Sequence, residues 1–579
     1  MQSQRYPASS SLAADSPTAA LGKHLRWQLI LAGVGIFALV ILLGYSTYTV
    51  TTVLVPDRGG VFREGVAGNP RYLNPLYCEA NDVDQDLCAL LYRGLTKKDK
   101  HGRVVPDLAL AWTVTDNKIY TFRLRNDQFW HDGRPVTADD VLFTIGILQD
   151  PSVENLPNLT QLWRSVKVEK VDDNTVRFIR SEALAPFLDF TTIGLLPKHI
   201  YEHVPATQLA TSPLNGTPIG AGPLLVKELA ADHIRLEPSP FYNGKTPYLS
   251  ALEFRFYPDH PSVFNAFGKG EIDGISRILP ADLPAATKRI DLREYSTGES
   301  KYVELIFNLD DRNAPFFQDK AVRQALYYGL DRKSLIDQAA GGQGILANSI
   351  MLPENWAYNP KVQPYSYDFN RARKLLDEAN WVDTNNDGVR DKNGQPLQFL
   401  LYTNDDSTHV ALIQHIAADW QKLGVRAVPT PVSKADLLLK YLTPRQFDIA
   451  LTEWEASGDP DPYSLWHSSQ AKGGGFNFGN WNNEEADKLM EKARFVVNED
   501  ERRKLYWRFQ EIFAEELPAL PLYYPVYTYG VSTRVQNVQI GSLNQPSERF
   551  GSFADWYMVT RRVPSNQIPT DAPPTPPGQ

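Results

Sequence analysis

The chain is 579 residues long, 42% hydrophobic and 22% charged, which is ordinary globular material and enough for two or three packed lobes rather than one core. A net charge of −9 and a sequence pI near 5.7 offer no field for a phosphate backbone, which argues against nucleic acid as a partner. The only two cysteines, Cys78 and Cys88, exclude a disulfide-framework fold and any multi-cysteine zinc or iron–sulfur centre.

Residues 1–26 open with a Ser-, Ala-, Pro- and Gln-rich stretch and read as a disordered cytoplasmic tail. From Trp27 to Val55 there is no charged residue, and the apolar heart Leu29–Leu43 with its flanks predicts a transmembrane helix over 27–50. Trp27, Tyr45 and Tyr48 suit the interfacial aromatic belts. Arg5, Lys23 and Arg26 precede the span and keep the N-terminus cytoplasmic. The competing reading is a cleaved signal peptide ending near Gly44-Tyr45-Ser46. No cysteine follows to carry a lipid anchor. Both readings put everything after residue 55 outside the cytoplasm, where Cys78 and Cys88 read either as a disulfide closing a short loop or as two buried thiols.

Further on, Arg93, Lys97, Lys98, Lys100 and Arg103 read as a solvated loop or strand edge. Ile119–Leu124 alternates as a strand, and Ala138–Leu148 has helical spacing behind Thr137 as N-cap. The texture repeats, with strands at Leu252–Tyr257 and Tyr302–Asn308 and helices at Lys320–Gly329, Asn370–Asn380, Thr408–Leu423 and Glu484–Glu515. An α/β fold follows. Residues 563–579 end in Pro573-Pro574-Thr575-Pro576-Pro577 and read as a disordered tail.

Within this order, Asp383, Asn385, Asp387 and Asp391, with Gly388 sixth in the run, have the spacing of a calcium loop, but Gly394 stands where the bidentate Glu belongs. A weak structural calcium site and an ion-free Asn/Asp/Gly turn are both compatible with it. His199-Ile200-Tyr201-Glu202-His203 fits H-x-x-E-H, an inverted zinc-peptidase motif, although Pro197 and Pro205 leave room for barely two turns.

The stretch Val104–Leu148 resembles the signature region of bacterial family 5 extracellular solute-binding proteins, the oligopeptide, dipeptide and nickel binders. It carries Pro106-Asp107-Leu108-Ala109, Trp112, Trp130-His131-Asp132-Gly133, Pro135 and Thr137-Ala138-Asp139-Asp140-Val141. Further motifs follow in the family's order, among them Leu196-Pro197-Lys198-His199, Gly220-Ala221-Gly222-Pro223, Ala321-Val322-Arg323-Gln324-Ala325-Leu326 and Gly458-Asp459-Pro460-Asp461-Pro462. The resemblance spans about 60–560 and absorbs the H-x-x-E-H run into a family motif.

It implies a type II periplasmic-binding-protein-like fold of two hinged lobes with an extra small domain. The first lobe is expected at 60–91, 193–300 and 527–560, the small domain at 92–192, and the second lobe at 301–526. Chain crossings are expected near Tyr295–Tyr302 and Tyr524–Gly530. The resemblance further implies a monomer that is not an enzyme, needs no cofactor, and delivers its ligand to the permease subunits of an ABC importer. In peptide-binding members a Trp and a nearby Asp face the ligand. Trp454 matches the Trp, but the Asp position falls at Ala456–Ser457, leaving Glu455 or Asp459 to substitute. The resemblance thus nominates Trp454, Ser457, Asp459, Asn477, Tyr523, Tyr524 and Asn74 as ligand-binding residues. A peptide is the expected ligand. An oligosaccharide or other small polar solute, or a role as a tethered sensor, is the alternative.

Overall fold

The structure, a computed structural model, describes residues 17–99, 103–153, 156–310, 314–456, 458–472, 475–541 and 543–567. Its contacts divide the chain into two units, one of residues 1–58 with 557–579 and one of 59–556.

The first unit is a helix and a ribbon. The helix Pro17–Thr51 begins where proline is tolerated, in a first turn whose N–H groups have no partner anyway. Residues 17–26 are therefore helical rather than tail, because a helix nucleated in the apolar segment propagates backward at little cost. Residues 1–16 lie outside the described part. Gln28–Thr49 has a mean hydropathy of 2.4, and none of that stretch is buried against protein. At 1.5 Å per residue these 22 residues reach about 33 Å, against a hydrocarbon core of about 30 Å. The strand Thr52–Asp57 follows directly and pairs antiparallel with Val559–Pro564. Arg562 lies over the Tyr48 ring at 5.5 Å and donates to Thr52 Oγ1. Residues 563–567, expected as part of the Pro-rich tail, are held by this ribbon and a short turn, and 568–579 lie outside the described part.

The second unit is organised by a 12-stranded sheet. Its path runs Arg426–Val432, Gln398–Asn404, Ile449–Glu455, Lys301–Phe307, Ala519–Ser532, Gly274–Ile275, Val61–Ala67, Ala251–Tyr257, His233–Pro238 and Leu224–Leu229. The 14-residue strand Ala519–Ser532 joins two lobes. Its first half pairs with Lys301–Phe307, whereas Val526–Ser532 pairs with Leu292–Gly298. Glu299 and Ser300 link those two partners, so two segments of chain pass between the lobes side by side.

In the second lobe the strand Lys301–Phe307 is covered on both faces, which calls for continuous apolar sequence. Val303, Leu305 and Phe307 enter one core, and Tyr302 and Ile306 the other. Within the buried run 302–307, Glu304 alone breaks the pattern. The run 484–515 forms two helices, Glu484–Phe495 and Glu499–Glu516, rather than one. The β-branched pair Val496-Val497 weakens helix continuation, and Asn498 caps the second helix by accepting the Glu501 N–H.

A four-stranded antiparallel sheet, ordered Ala109–Thr115, Ile119–Leu124, Thr175–Arg180 and Val166–Asp172, carries the family signature. The helix Ala138–Gln149 beside it opens with a reciprocal capping box between Thr137 and Asp140. His131 is scaffold. Its Nδ1 accepts the Gly220 N–H at 3.1 Å while Nε2 donates to the Gly222 carbonyl at 3.1 Å. Burial lowers its pKa to about 4, so the ring is neutral at pH 7. Gly220 and Gly222 are required there, because a Cβ would fall 1.8 and 2.2 Å from the Leu91 and Leu90 carbonyl oxygens. Cys78 and Cys88 are joined as a disulfide.

Candidate functional site: the interlobe cleft

Where the two segments pass between the lobes, a narrow cleft with about 20 Å³ of room for water-sized molecules is lined from both sides. The first lobe supplies Asp82 and Gln85 from the start of the helix Asp82–Leu91, Tyr527, and Leu543 to Pro546. The linking segment supplies Glu299, Ser300 and Lys301, and the strand Ile449–Glu455 ends at the cleft with Glu455.

The charges of this wall fall into two groups. Arg277 donates to Glu299 at 2.5 Å beneath the Tyr527 ring, while Lys301 lies 3.5 Å from Glu299 and 3.2 Å from Glu453. Burial works against the Glu299 charge, yet Arg277 and then Lys301 hold its pKa below the usual carboxylate range. This cluster is internally neutralised and fixes the linker. Asp82 and Glu455 have no ion-pair partner among the described residues. Nearby, burial and then the Glu455 charge push the Glu79 carboxyl up. The Asp82 charge acts on Arg277, so the excess negative charge of the cleft lies at Glu455, suited to a cationic group on a ligand.

Most of the nominated residues have partners within the protein. Asp459 accepts both Arg502 guanidinium nitrogens at 2.8 Å, and Asp461 pairs with Arg494 at 2.9 Å, so the Gly-Asp-Pro-Asp-Pro run is a clamped turn. Asp459 is thus unavailable to stand in for the missing Asp. Asn477, fully buried, donates to the Trp466, His467 and Trp481 carbonyls and accepts the Trp481 N–H. Asn74 donates to Asn215 and accepts the Leu76 N–H. Tyr524 donates to the Ser349 and Met351 carbonyls at 2.8 Å. Tyr523 is buried against the second-lobe core. Ser457 lies outside the described residues.

Trp454 is different. It is half-buried, packs against Phe478 with ring centroids 5.9 Å apart, and leaves its indole N–H without a hydrogen-bond partner. Directly across the ladder from Trp454 is Tyr302, and one step inward Glu304 lies opposite Thr452. Glu304 is completely buried, neither carboxylate oxygen is within hydrogen-bond geometry of a donor, and burial, opposed by the nearby Trp454 indole N–H, holds its pKa well above the ordinary carboxylate range. The resemblance gave no reason to single out Glu304. The signal that could have found it is one acid in an otherwise apolar strand.

The calcium reading is not supported. Asp383 accepts the backbone N–H groups of Asp387 at 3.2 Å and Gly388 at 3.0 Å, and Asp391 is bound to Thr384, so these carboxylates close the turn themselves. Among the described residues no group of three His, Cys, Asp or Glu is placed to hold a metal ion. The H-x-x-E-H run is no zinc site either: its helix, Lys198–Tyr201, is a single turn, His199 pairs with Asp132 at 2.7 Å and His203 is exposed.

Two lobes on one sheet, joined by adjacent crossings around a charged cleft, are the architecture of solute-binding proteins of the periplasmic type. Residues 103–476 match the family model described as "Bacterial extracellular solute-binding proteins, family 5 Middle". The oligopeptide-binding protein AppA of Bacillus subtilis is 33% identical over 487 residues, covering 81% of this chain and 87% of AppA. The dipeptide-binding protein of Escherichia coli is 29% identical over 479 residues, 78% of this chain and 87% of that one. The solved structure of Bacillus subtilis AppA with a nonapeptide aligns with a TM-score of 0.69 at 30% identity, over 87% of this chain and all of that one. NikZ of Campylobacter jejuni, solved with Ni(L-His), gives 0.71 at 26% identity over 86% and 99%. The chain belongs to the family 5 extracellular solute-binding proteins, which bind solutes for ABC transporters and are not enzymes.

Proposed function

We propose that this protein captures peptides in the interlobe cleft on the outer face of the cell membrane, to which the helix Gln28–Thr49 anchors it, and hands them to an ABC importer. The carrying observation is the pair of carboxylates in the cleft lining, Asp82 from the first lobe and Glu455, which has no ion-pair partner, from the second. An ammonium group at a peptide N-terminus supplies the missing counter-charge, and charge-assisted hydrogen bonds of that kind are the strong ones. Glu455 takes the place of the Asp expected at Ala456–Ser457. The peptide-binding relatives support the same ligand class. Binding draws the lobes together by favouring the closed population, and the closed surface is what the permease recognises.

The lobes are 60–91 with 193–300 and 527–560, and 301–526, with 92–192 as the small domain, and the protein acts as a monomer. Native mass spectrometry of the full chain in detergent tests the reading. Peptide masses released on denaturation, together with an intact N-terminus and resistance to alkaline extraction from membranes, are expected. Release of oligosaccharide alone, or an N-terminus cut near Ser46, overturns the ligand or the anchor respectively.

A further inference from the structure

Lys98 belongs to the basic run expected at a solvated edge, yet at the end of the short strand Thr96–Lys98 its side chain is only 17% exposed. It pairs at 3.4 Å with Asp189 of the helical turn Ala185–Thr192. Both residues lie in the stretch 92–192 proposed as the small domain.

What covers the pair comes from the second lobe. A Cβ on Gly458 would fall inside contact distance of both Asp189 Oδ1 and Lys98 Nζ, so the Gly458 backbone sits directly on the two charged ends. Its φ of +46° favours glycine, and its carbonyl accepts Asn355 Nδ2 at 3.3 Å, which ties it to the second lobe. Burial, and after it the Asp459 charge, push the Asp189 carboxyl up while Lys98 opposes them. The helix Glu484–Phe495 of the second lobe packs against the same turn, Ala185–Thr192. Lys98 also acts on the first lobe, where its charge opposes the burial that raises the Glu548 carboxyl, and Glu548 accepts the Asn544 N–H at 2.8 Å. Three parts of the molecule therefore meet at one lysine.

This junction adjoins the cleft. Glu455 and Asn544 both line it, Gly458 lies three residues beyond the first, and Glu548 holds the second. A partly covered ion pair adds little net stability, because desolvation offsets most of its attraction, so its use lies in fixing geometry.

We propose that the small domain is the clasp of the cleft: Lys98 and Asp189 form a seat that receives the Gly458 backbone when the lobes close, and so set how far the Glu455 end of the wall advances over a ligand. This rests on the hinged closure proposed above and names the contact that ends it. Lys98 and Asp189 are positioning residues, and any side chain at 458 is a doorstop.

The test measures the spacing between small domain and second lobe by double electron–electron resonance on the full chain in detergent, as purified and with tri-alanine. Nitroxides are placed through Lys118→Cys and Lys434→Cys, both exposed positions, and the disulfide leaves no other thiol to label. Wild type with tri-alanine should show one dominant short spacing. Gly458→Asn, which tolerates the left-handed backbone but fills the seat, and Lys98→Met, which empties it of its cation, should each move roughly half of the population or more to a longer spacing at an unchanged melting temperature. Variants that match a wild type with two spacings overturn the clasp and leave the hinge standing. A single spacing in every sample, with and without tri-alanine, removes the hinged closure itself and the clasp with it.

Discussion

Two carboxylates are wholly removed from solvent on strands of the same sheet, Glu64 in the first lobe and Glu304 in the second. Glu64 accepts Arg549 through Nε at 3.2 Å and Nη2 at 2.9 Å, and the Tyr529 hydroxyl at 2.9 Å. Arg549, itself 1% exposed, also donates to Asp86 through Nη1 and the shared Nη2 and lies over the Phe550 ring at 4.3 Å. Burial raises the Glu64 pKa, and Arg549 is the strongest influence opposing it. Glu304 has the same burial and no cation. A completed ion network is a pillar of the fold. An incomplete one carries its desolvation cost unanswered, and the physical signature that separates the two is the partner list rather than the burial.

The comparison breaks most visibly at Arg549. Arg549→Met strands Glu64 and Asp86 in the interior and should cost about 3–5 kcal/mol in urea unfolding, the usual penalty for removing one partner of a buried pair. A loss well under 1 kcal/mol would mean that water reaches Glu64 and that the two acids are not so different.

His131 extends the comparison to a group partnered in its neutral form. Its folded pKa of about 4 lies below the unfolded value, so the unfolded chain binds the proton first. Stability should therefore fall as pH drops from about 6.5 to about 4, by about 3 kcal/mol in all, and level off below that. Urea midpoints measured across this range for wild type and His131→Gln check the sign: the variant starts lower at pH 7 and loses less.

Glu304 should behave oppositely to both. Removing an orphan polar group relieves its desolvation, so Glu304→Met should raise stability by about 1–2 kcal/mol. A destabilisation of the size expected at Arg549 would show that Glu304 has a structural partner after all. The smallest effect is expected at the turn 383–391. Calcium and chelator should leave the melting temperature unchanged, because an ion that bound only the folded state would raise it.

Much of the fold was legible because local chemistry and tertiary structure agree. Ile119–Leu124 alternates and is a strand with those bounds, and Thr137 opens the helix Ala138–Gln149. The apolar run after Trp27 is helical throughout. The cleft was not legible, since its wall is assembled from residues as distant as Asp82, Lys301, Glu455, Tyr527 and Asn544, and no local pattern links them. Family position alone nominated Asp459 and Asn477, yet a motif cannot say whether a side chain faces a ligand or, as here, Arg502 and the Trp481 loop. Glu304 was visible as an acid in an apolar strand, but whether a buried acid is answered depends on neighbours that only the folded structure brings together.

The central claim is that the cleft holds a peptide by its charged amine and leaves it intact. Calorimetric titration of the full chain with a short peptide and its N-acetylated twin, followed by mass analysis of the recovered ligand, addresses it directly. Saturable binding of the free-amine form, clear weakening on acetylation and recovery of the peptide at its original mass are expected. Indifference to acetylation, or recovery of shortened peptide, would contradict it.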